Sequence, residues 1–338
     1  MKVAVDVMGT DYGPSEIIAG ALQAIDKFSC DIVLVGDQVQ IEQVLIEQKV
    51  SEAKRSKIAI CHASEVIDMH EHASVSVRKK KDSSIVLATK LVKDGECQAV
   101  VSPGSTGAAV AAALFGLGRI AGIERPTIAT PLPNKSGTTV VIDSGANVDS
   151  KPQHMVQAAI MGSLYAEHIL KIEKPRVGLL NIGEEESKGN EQALATFPLL
   201  QATKGINFVG NAEGRDITNG KVDVVVCDGF VGNVILKFAE GLAVVILKLL
   251  KDAIKNSGFI AKTAAMFLLP ALGGLRKKID AAEYGGAPLL GVNGTFIICH
   301  GSSKAKAIAS AIGVAINFYD NNLLEHIREA IKEERELL

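Results

Sequence analysis

Ala99–Val110 reads AVVSPGSTGAAV. A short apolar strand runs into proline, glycine and a pair of hydroxyl residues, and an alanine-rich stretch at helical pitch follows. Strands that are apolar on every residue and alternate with helices belong to a parallel sheet covered on both faces. The same succession recurs along the chain. VAVDV (3–7) leads into MGTDYGPSE, TVVID (139–143) into SGANVDSKP and GLLNI (178–182) into GEEESKGNE; VVVC (224–227) leads into DGFVGN, and FIICH (296–300) into GSSKA. Each of these strand ends delivers glycine and small polar residues just before a helix. In open α/β sheets ligands sit beyond the carboxyl ends of strands. Helix N-termini offer free N–H groups there, and glycine lets the backbone approach an anion. The repetition points to a site for a phosphate-like anion.

Further strand-like runs are DIVLVG, KIAIC, TIATPL and INFVG, and helical spacing marks Ile17–Phe28, Ile85–Val92, Met155–Leu170 and Val234–Leu250. With no linker, low-complexity tract or repeat, residues 1–338 read as one continuous α/β unit. The expected architecture is a three-layer, doubly wound, mostly parallel sheet with a C-terminal helical excursion, a projecting hairpin over 234–280.

Composition removes several function classes. Of 338 residues 47% are hydrophobic and 22% charged, and 36 Lys+Arg against 38 Asp+Glu leave a net charge of -2. So even a balance gives no global steering toward nucleic acid, and with 4% aromatics and no Trp there is no base-stacking platform. Five separated cysteines without a CxxC pair suggest neither a zinc site nor a disulfide framework, and no metal or cofactor is expected. The first residues, MKVAVDVMGT, form a strand rather than a signal peptide. No run reaches the ~20 apolar residues of a membrane span. A cytoplasmic protein is expected.

Several motif matches lack the context their chemistry needs. Gly116–Ala121, GLGRIA, fits a dinucleotide fingerprint but follows a helix-like stretch instead of a strand, so it reads as a helix C-terminus. Gly220-Lys221 lacks the hydroxyl of a Walker loop, Ile142–Ala146 (IDSGA) has no second copy to form an aspartic dyad, and His70-Glu71-His72 is misspaced for metal. Lys188 stands between three glutamates and a helix start at a strand's carboxyl end, which favours an anion ligand over a surface charge. Arg78-Lys79-Lys80-Lys81 is a compact cationic run, and His300 closes a strand before Gly301-Ser302-Ser303.

MGTDYGP, HASEVIDM, RKKKDSS, GSTGA, DSGANVD, LLNIGEEESKGN, NFVGNAEGRDI, VVVCDGFVGNVILK, YGGAPLLG and HGSSKA occur in that order. The set resembles the bacterial acyl-carrier-protein:phosphate acyltransferases of phospholipid synthesis, the PlsX family, from Met1 to about Ile316. The resemblance implies transfer of a fatty acyl group from acyl carrier protein to inorganic phosphate, giving acyl phosphate. It also implies a homodimer with an isocitrate/isopropylmalate dehydrogenase-like fold. A nicotinamide-dependent hydroxyacid dehydrogenase on a related fold and a nonenzymatic binder of an acidic protein are the rival readings.

Acyl transfer suits these residues. Phosphate is substantially dianionic at neutral pH (second pKa about 6–7, as for phosphomonoesters), and a thiol of pKa about 8.5 leaves with little help. The protein's task is to align the reactants and stabilise a tetrahedral oxyanion. Lys188 and Asn190 are assigned to the phosphate or that oxyanion. Asp6, Gly9, Gly104, Ser105, Thr106, Gly107, Asn147, Gly189, Asn211, Asp228, Gly229, Asn233 and His300 are expected to line the substrate site. Arg78, Lys79, Lys80 and Lys81 are expected to receive acyl carrier protein. Phe267, Leu268 and Leu269, followed by Arg276-Lys277-Lys278, read as a peripheral membrane contact close to a downstream membrane acyltransferase.

Overall fold

The computed structural model describes residues 1–10, 12–258, 263 and 285–336. In chain order the elements are β1 (Lys2–Asp6), α1 (Pro14–Phe28), β2 (Asp31–Gly36), α2 (Gln38–Glu47), α3 (Glu52–Arg55), β3 (Ile58–His62), α4 (Ala73–Lys79), α5 (Ser84–Lys93), β4 (Ala99–Ser102) and α6 (Thr106–Gly116). They continue with β5 (Thr127–Pro133), β6 (Thr138–Ile142), α7 (Pro152–His168), β7 (Arg176–Leu180), α8 (Glu191–Ala202), β8 (Asn207–Ala212), α9 (Asp216–Asn219) and β9 (Val224–Val226). Helix α10 (Gly229–Asn256), β10 (Ala287–Leu290), β11 (Thr295–Ile298), α11 (Ala305–Asp320) and α12 (Leu323–Glu336) complete the described chain.

The strands form an 11-stranded sheet in the order β3-β2-β1-β4-β11-β10-β5-β6-β9-β7-β8. Its two ends are parallel blocks: β3-β2-β1-β4-β11, and β6-β9-β7-β8. Between them β10 is antiparallel to both β11 and β5, and β5 is antiparallel to β6. The two blocks therefore run in opposite senses. Carboxyl ends of β1, β4 and β11 leave the sheet at one margin, and those of β6, β9 and β7 at the other.

Alternation along the buried strands divides the core into layers. Val3 and Val5 face a cluster with Ile17, Ile18, Ile308 and Ile312 from α1 and α11, while Ala4 faces α5 and α6. In the second block α7, α8 and α12 cover one face, and Tyr165, Met161 and Ile327 are fully or nearly fully buried there. The other face of that block holds a smaller cluster of Val141, Val225, Ile217 and Cys227, with Ile235 from the root of α10 packed against it.

Of the 28 residues of α10 only Gly229 and Gly232 are buried, and Phe230, Val234, Phe238, Val244 and Leu249 stand largely exposed. The helix runs unbroken past Lys237, Glu240 and Lys248 and ends at Asn256, so by length and apolarity alone it could cross a membrane. That corrects the expectation that no segment has this length. Phe267, Leu268, Leu269 and the cations at 276–278 lie outside the described residues, as does most of the second arm of the expected hairpin.

Candidate active site

At the first margin the structure gathers Asp6, Gly9, Gly104 and Ser105. Asp6 is buried: Ser102 Oγ donates to Oδ2 at 2.8 Å and the Met8 N–H to Oδ1 at 3.1 Å. The Gly104 N–H in turn donates to Ser102 Oγ. Only about 10 Å³ is open among Asp6, Gly9, Ser84, Gly104 and Ser105, room for a single water. Asp6 thus braces the β1 and β4 ends from within while lining this small space. Thr106 opens α6, and Gly107 lies against Ala73. His300 is exposed, its Nδ1 sharing a hydrogen bond with Ser302 Oγ at 2.6 Å.

Burial lifts the Asp6 carboxyl from 3.8 to about 6, against the opposing hydrogen bonds of Ser84, Ser102 and Met8. A raised carboxyl pKa means the folded state binds the proton more tightly than the unfolded chain. The resulting cost is absent below pH 3.8, grows as pH rises, and is complete above about 6. Asp6→Asn can keep both contacts, since either serine hydroxyl can accept from the amide. It should gain about 3 kcal/mol at pH 7 relative to wild type. Urea midpoints at pH 4 and pH 7 check this; an unchanged difference between the two proteins would refute it.

At the second margin the organising residue is Asp143, directly after β6. Its Oδ1 accepts the N–H groups of Ile128, Gly145 and Ala146, and its Oδ2 accepts the Asn147 N–H and Nδ2. Burial pushes this carboxyl up, opposed by the same donors. The 143–147 loop folds against the start of α10: a methyl at Gly232 would lie 1.9 Å from the Asp143 carbonyl oxygen, and one at Gly229 2.3 Å from that of Asn147. The absence of side chains there is what admits the loop, and Gly229 serves packing. Asp228 caps α10 by accepting from Phe230 N and Val231 N. Asn233 lies half-buried beside Gly145. Asn147, expected to line the substrate site, has its Nδ2 already committed to the Pro126 carbonyl and to Asp143.

The segment after β7 is built the same way. Asn190 Oδ1 caps α8 through the Ala193 N–H, and Asn211 Nδ2 donates to the Glu185 carbonyl at 2.8 Å. Asn211 Oδ1 is buried without a partner among the described residues. Asn181 donates to the Lys188 carbonyl, with Gly189 held at φ +111° so tightly that a methyl would meet Asn181 at 2.6 Å. Asn190 and Asn211 therefore shape the loop, and the oxyanion role given to Asn190 falls to its amide nitrogen at most. Glu184 pairs with Lys221 at 2.7 Å, and Glu213 with Arg215, so the acidic group Glu184, Glu213 and Asp216 already holds two cations. Lys188 is exposed and makes no ion pair among the described residues. The glutamates beside it in sequence are not what its charge balances.

The cationic run splits. Lys80 turns inward to Glu71 at 2.6 Å and to the Val66 carbonyl, whereas Lys79 and Lys81 point outward and the Arg78 guanidinium lies 4.5 Å from the Phe115 ring. Phe115 also walls a cavity of about 510 Å³. That cavity lies at the C-terminal end of α6, whose 11 residues span about 16 Å from the first group. Leu114, Phe115 and Pro126 give it an apolar side; Arg119, Arg125 and Lys151 bring three cations. Glu124 is its sole acid, 3.0 Å from His154 Nε2. His154 Nδ1 accepts the Lys151 N–H, which fixes the neutral tautomer with the proton on Nε2 facing Glu124. The cavity adjoins the second group: Pro126 is bonded by Asn147, and Gln192, just beyond Asn190, donates to the Ser150 carbonyl. None of these cavity residues stood out in sequence, although Arg119 lies inside GLGRIA, read as a helix end.

A protein-family model, "Fatty acid synthesis protein", matches residues 1–326. The phosphate acyltransferase of Pelotomaculum thermopropionicum is 57% identical over 332 residues, 98% of this chain and 95% of that protein. That of Heliobacterium modesticaldum is 53% identical over 331 residues, 98% of each. Among solved structures, a phosphotransacetylase from Streptococcus pyogenes aligns with a TM-score of 0.63 at 18% identity over 94% of both chains. Isocitrate dehydrogenase from Methylococcus capsulatus aligns at 0.50 and 10% identity over 99% of this chain and 91% of that one, which bears out the dehydrogenase-like fold. With a family model over nearly the whole chain and relatives at 57% and 53% identity, the chain belongs to the fatty acid synthesis protein family, the PlsX acyltransferases.

Proposed function

We propose that this chain moves a fatty acyl group from the thioester of acyl carrier protein to inorganic phosphate, releasing acyl phosphate for phospholipid synthesis. The observation that supports it most is Lys188, a cation with no pairing carboxylate among the described residues, held at the mouth of a strand-to-helix turn. Its ammonium can neutralise phosphate or the tetrahedral oxyanion, while α8 and α10 present their N-termini from the same margin. A covalent relay through cysteine has no candidate. Cys30, Cys97, Cys227 and Cys299 are buried, and burial raises all five thiols, Cys97 to about 11 and Cys299 to about 12. Direct attack by phosphate on the thioester carbonyl, with the thiol leaving, needs no such residue. The dehydrogenase alternative lacks its fingerprint, since Gly116 closes α6 and Gly118 turns at φ +76° instead of opening a helix after a strand. Incubating the protein with acyl carrier thioester should free thiol only when phosphate is present. Thiol release independent of phosphate would exclude the reaction.

The outward cations Arg78, Lys79 and Lys81 suit the acidic face of a carrier protein, mainly through association rate. Lys79→Glu with Lys81→Glu should raise the KM for the carrier about tenfold at low salt and flatten its salt dependence. An unaltered salt response would leave these residues as a solvated face. The exposed apolar residues of α10 favour cover by a second copy of the chain, the homodimer that the resemblance implies. Residues 267–269, with the cations after them, keep their assignment as a peripheral contact with the membrane that would receive the acyl phosphate.

A further inference from the structure

The cavity at the end of α6 carries more positive charge than the protein's own structure uses. Among the described residues Arg125 and Lys151 are exposed and have no ion pair, and the Arg119 guanidinium bonds only the Glu124 carbonyl oxygen. The one acid, Glu124, is engaged by neutral His154. Three cations thus face one carboxylate across a cavity of about 510 Å³. Guanidinium forks match phosphate oxygens in pairs, so an anion with phosphate geometry is the fitting occupant. Free phosphate would use the charges but leave the apolar side formed by Leu114, Phe115 and Pro126 uncovered.

We propose that this cavity seats the phosphodiester of the donor's prosthetic arm, with the arm's dimethyl carbon against Phe115 and Pro126. The assignment rests on the acyl-carrier reading above and names the subsite that reading lacks. An arm of 4′-phosphopantetheine has its branched apolar carbon next to its phosphate, the pairing of charge and apolar wall found here. Position agrees on both sides. Outward, Arg78 lies over Phe115 and continues into Lys79 and Lys81, where an acidic carrier would dock. Inward, the Pro126–Asn147 and Ser150–Gln192 hydrogen bonds connect the cavity wall to the segment bearing Lys188. The phosphate would anchor the arm while its thioester end extends toward that lysine.

Binding can be read without turnover. Calorimetric titration of the purified full-length protein with 4′-phosphopantetheine, pantetheine and inorganic phosphate separates the possible occupants. The phosphorylated arm should bind at least about tenfold more tightly than pantetheine, the scale of one or two charge-assisted hydrogen bonds. Arg125→Gln and Lys151→Gln should each remove most of that preference, leaving pantetheine affinity and the melting temperature unchanged. Equal affinity for the two arms overturns the proposal, as does a preference that survives both substitutions. Loss of inorganic phosphate binding in the variants, with the arm preference intact, would make the cavity a free-phosphate site and also overturn it. If the preference behaves as expected but carrier thioester and phosphate yield no thiol, the acyl-transfer reading falls while the arm site stands.

Discussion

If the proposed reaction is right, Lys188→Ala is expected to lower acyl-phosphate formation by about 10²–10³-fold, the range for removing one donor aimed at developing negative charge. The size of the effect follows from what surrounds the residue. Glu184 is taken by Lys221, so Lys188 is not half of an ion pair whose loss would merely unbalance the surface. Its own backbone is fixed by the Asn181 side chain and by the Glu185 carbonyl, which accepts its N–H at 3.1 Å, and neither contact needs the ammonium. Truncation should therefore leave the loop and the unfolding midpoint in place. On the proposed mechanism turnover should fall much more than the KM for the carrier rises, because the charge is assigned to the reacting atoms and the docking surface to Arg78, Lys79 and Lys81. Near-normal turnover in a folded Lys188→Ala protein would reduce the residue to a surface charge and remove the main support for the proposed mechanism.

Asp143→Ala costs about 3–5 kcal/mol of stability, the penalty for deleting one member of a buried charged hydrogen-bond network. Four backbone N–H groups and the Asn147 amide converge on this carboxylate, and the Asn147 amide is shared with the Pro126 carbonyl. The loop it organises packs on Gly229 and Gly232, so its loss should loosen the first turns of α10 as well. Asp143→Asn keeps one acceptor oxygen and turns an amide toward the remaining donors; about half the loss is expected. Denaturant titration distinguishes the cases. A drop below about 1 kcal/mol for the alanine variant would show that water replaces the carboxylate easily and that the loop is not held as described.

How much could be read in advance depended on the range of the interactions. Ten strands were visible because their apolar residues are consecutive, as in Val224–Val226 and Ile32–Val35. The strand left unread was β10, whose four residues include Pro288 and follow Gly285-Gly286. It is also one of the two strands antiparallel to both neighbours. Pairing direction is set by contacts far apart in sequence, such as Leu290 with Thr127, and leaves no local trace. The glycine-rich ends were legible singly, but their sorting into two margins was not. Asp143 lay inside a motif set aside for want of a second copy, when its work is to gather amides. Asn147 and Asn190 drew notice as substrate-site residues, and in the fold their side chains hold loops. Arg125 and Lys151, 26 positions apart in the sequence, carry no local signal, and only the fold brings both to one cavity.

The insertion of β11 between β4 and β10 bears on how the chain emerges from the ribosome. Ala99 pairs with Thr295, and the opposite face of the amino-terminal layer closes when α11 settles on α1, with Gly20 tight against Ile308 and Gly313 against Phe28. Until residues 295–320 have been made, β4 has a bare edge of unpaired amides and carbonyls, and Ile17 and Ile18 lack their cover. Such edges template association with other chains, and sheets closed by distant segments form slowly. The nascent amino-terminal half should therefore depend on a chaperone until translation is nearly complete. A stop codon before β11 should yield aggregate instead of a smaller folded protein.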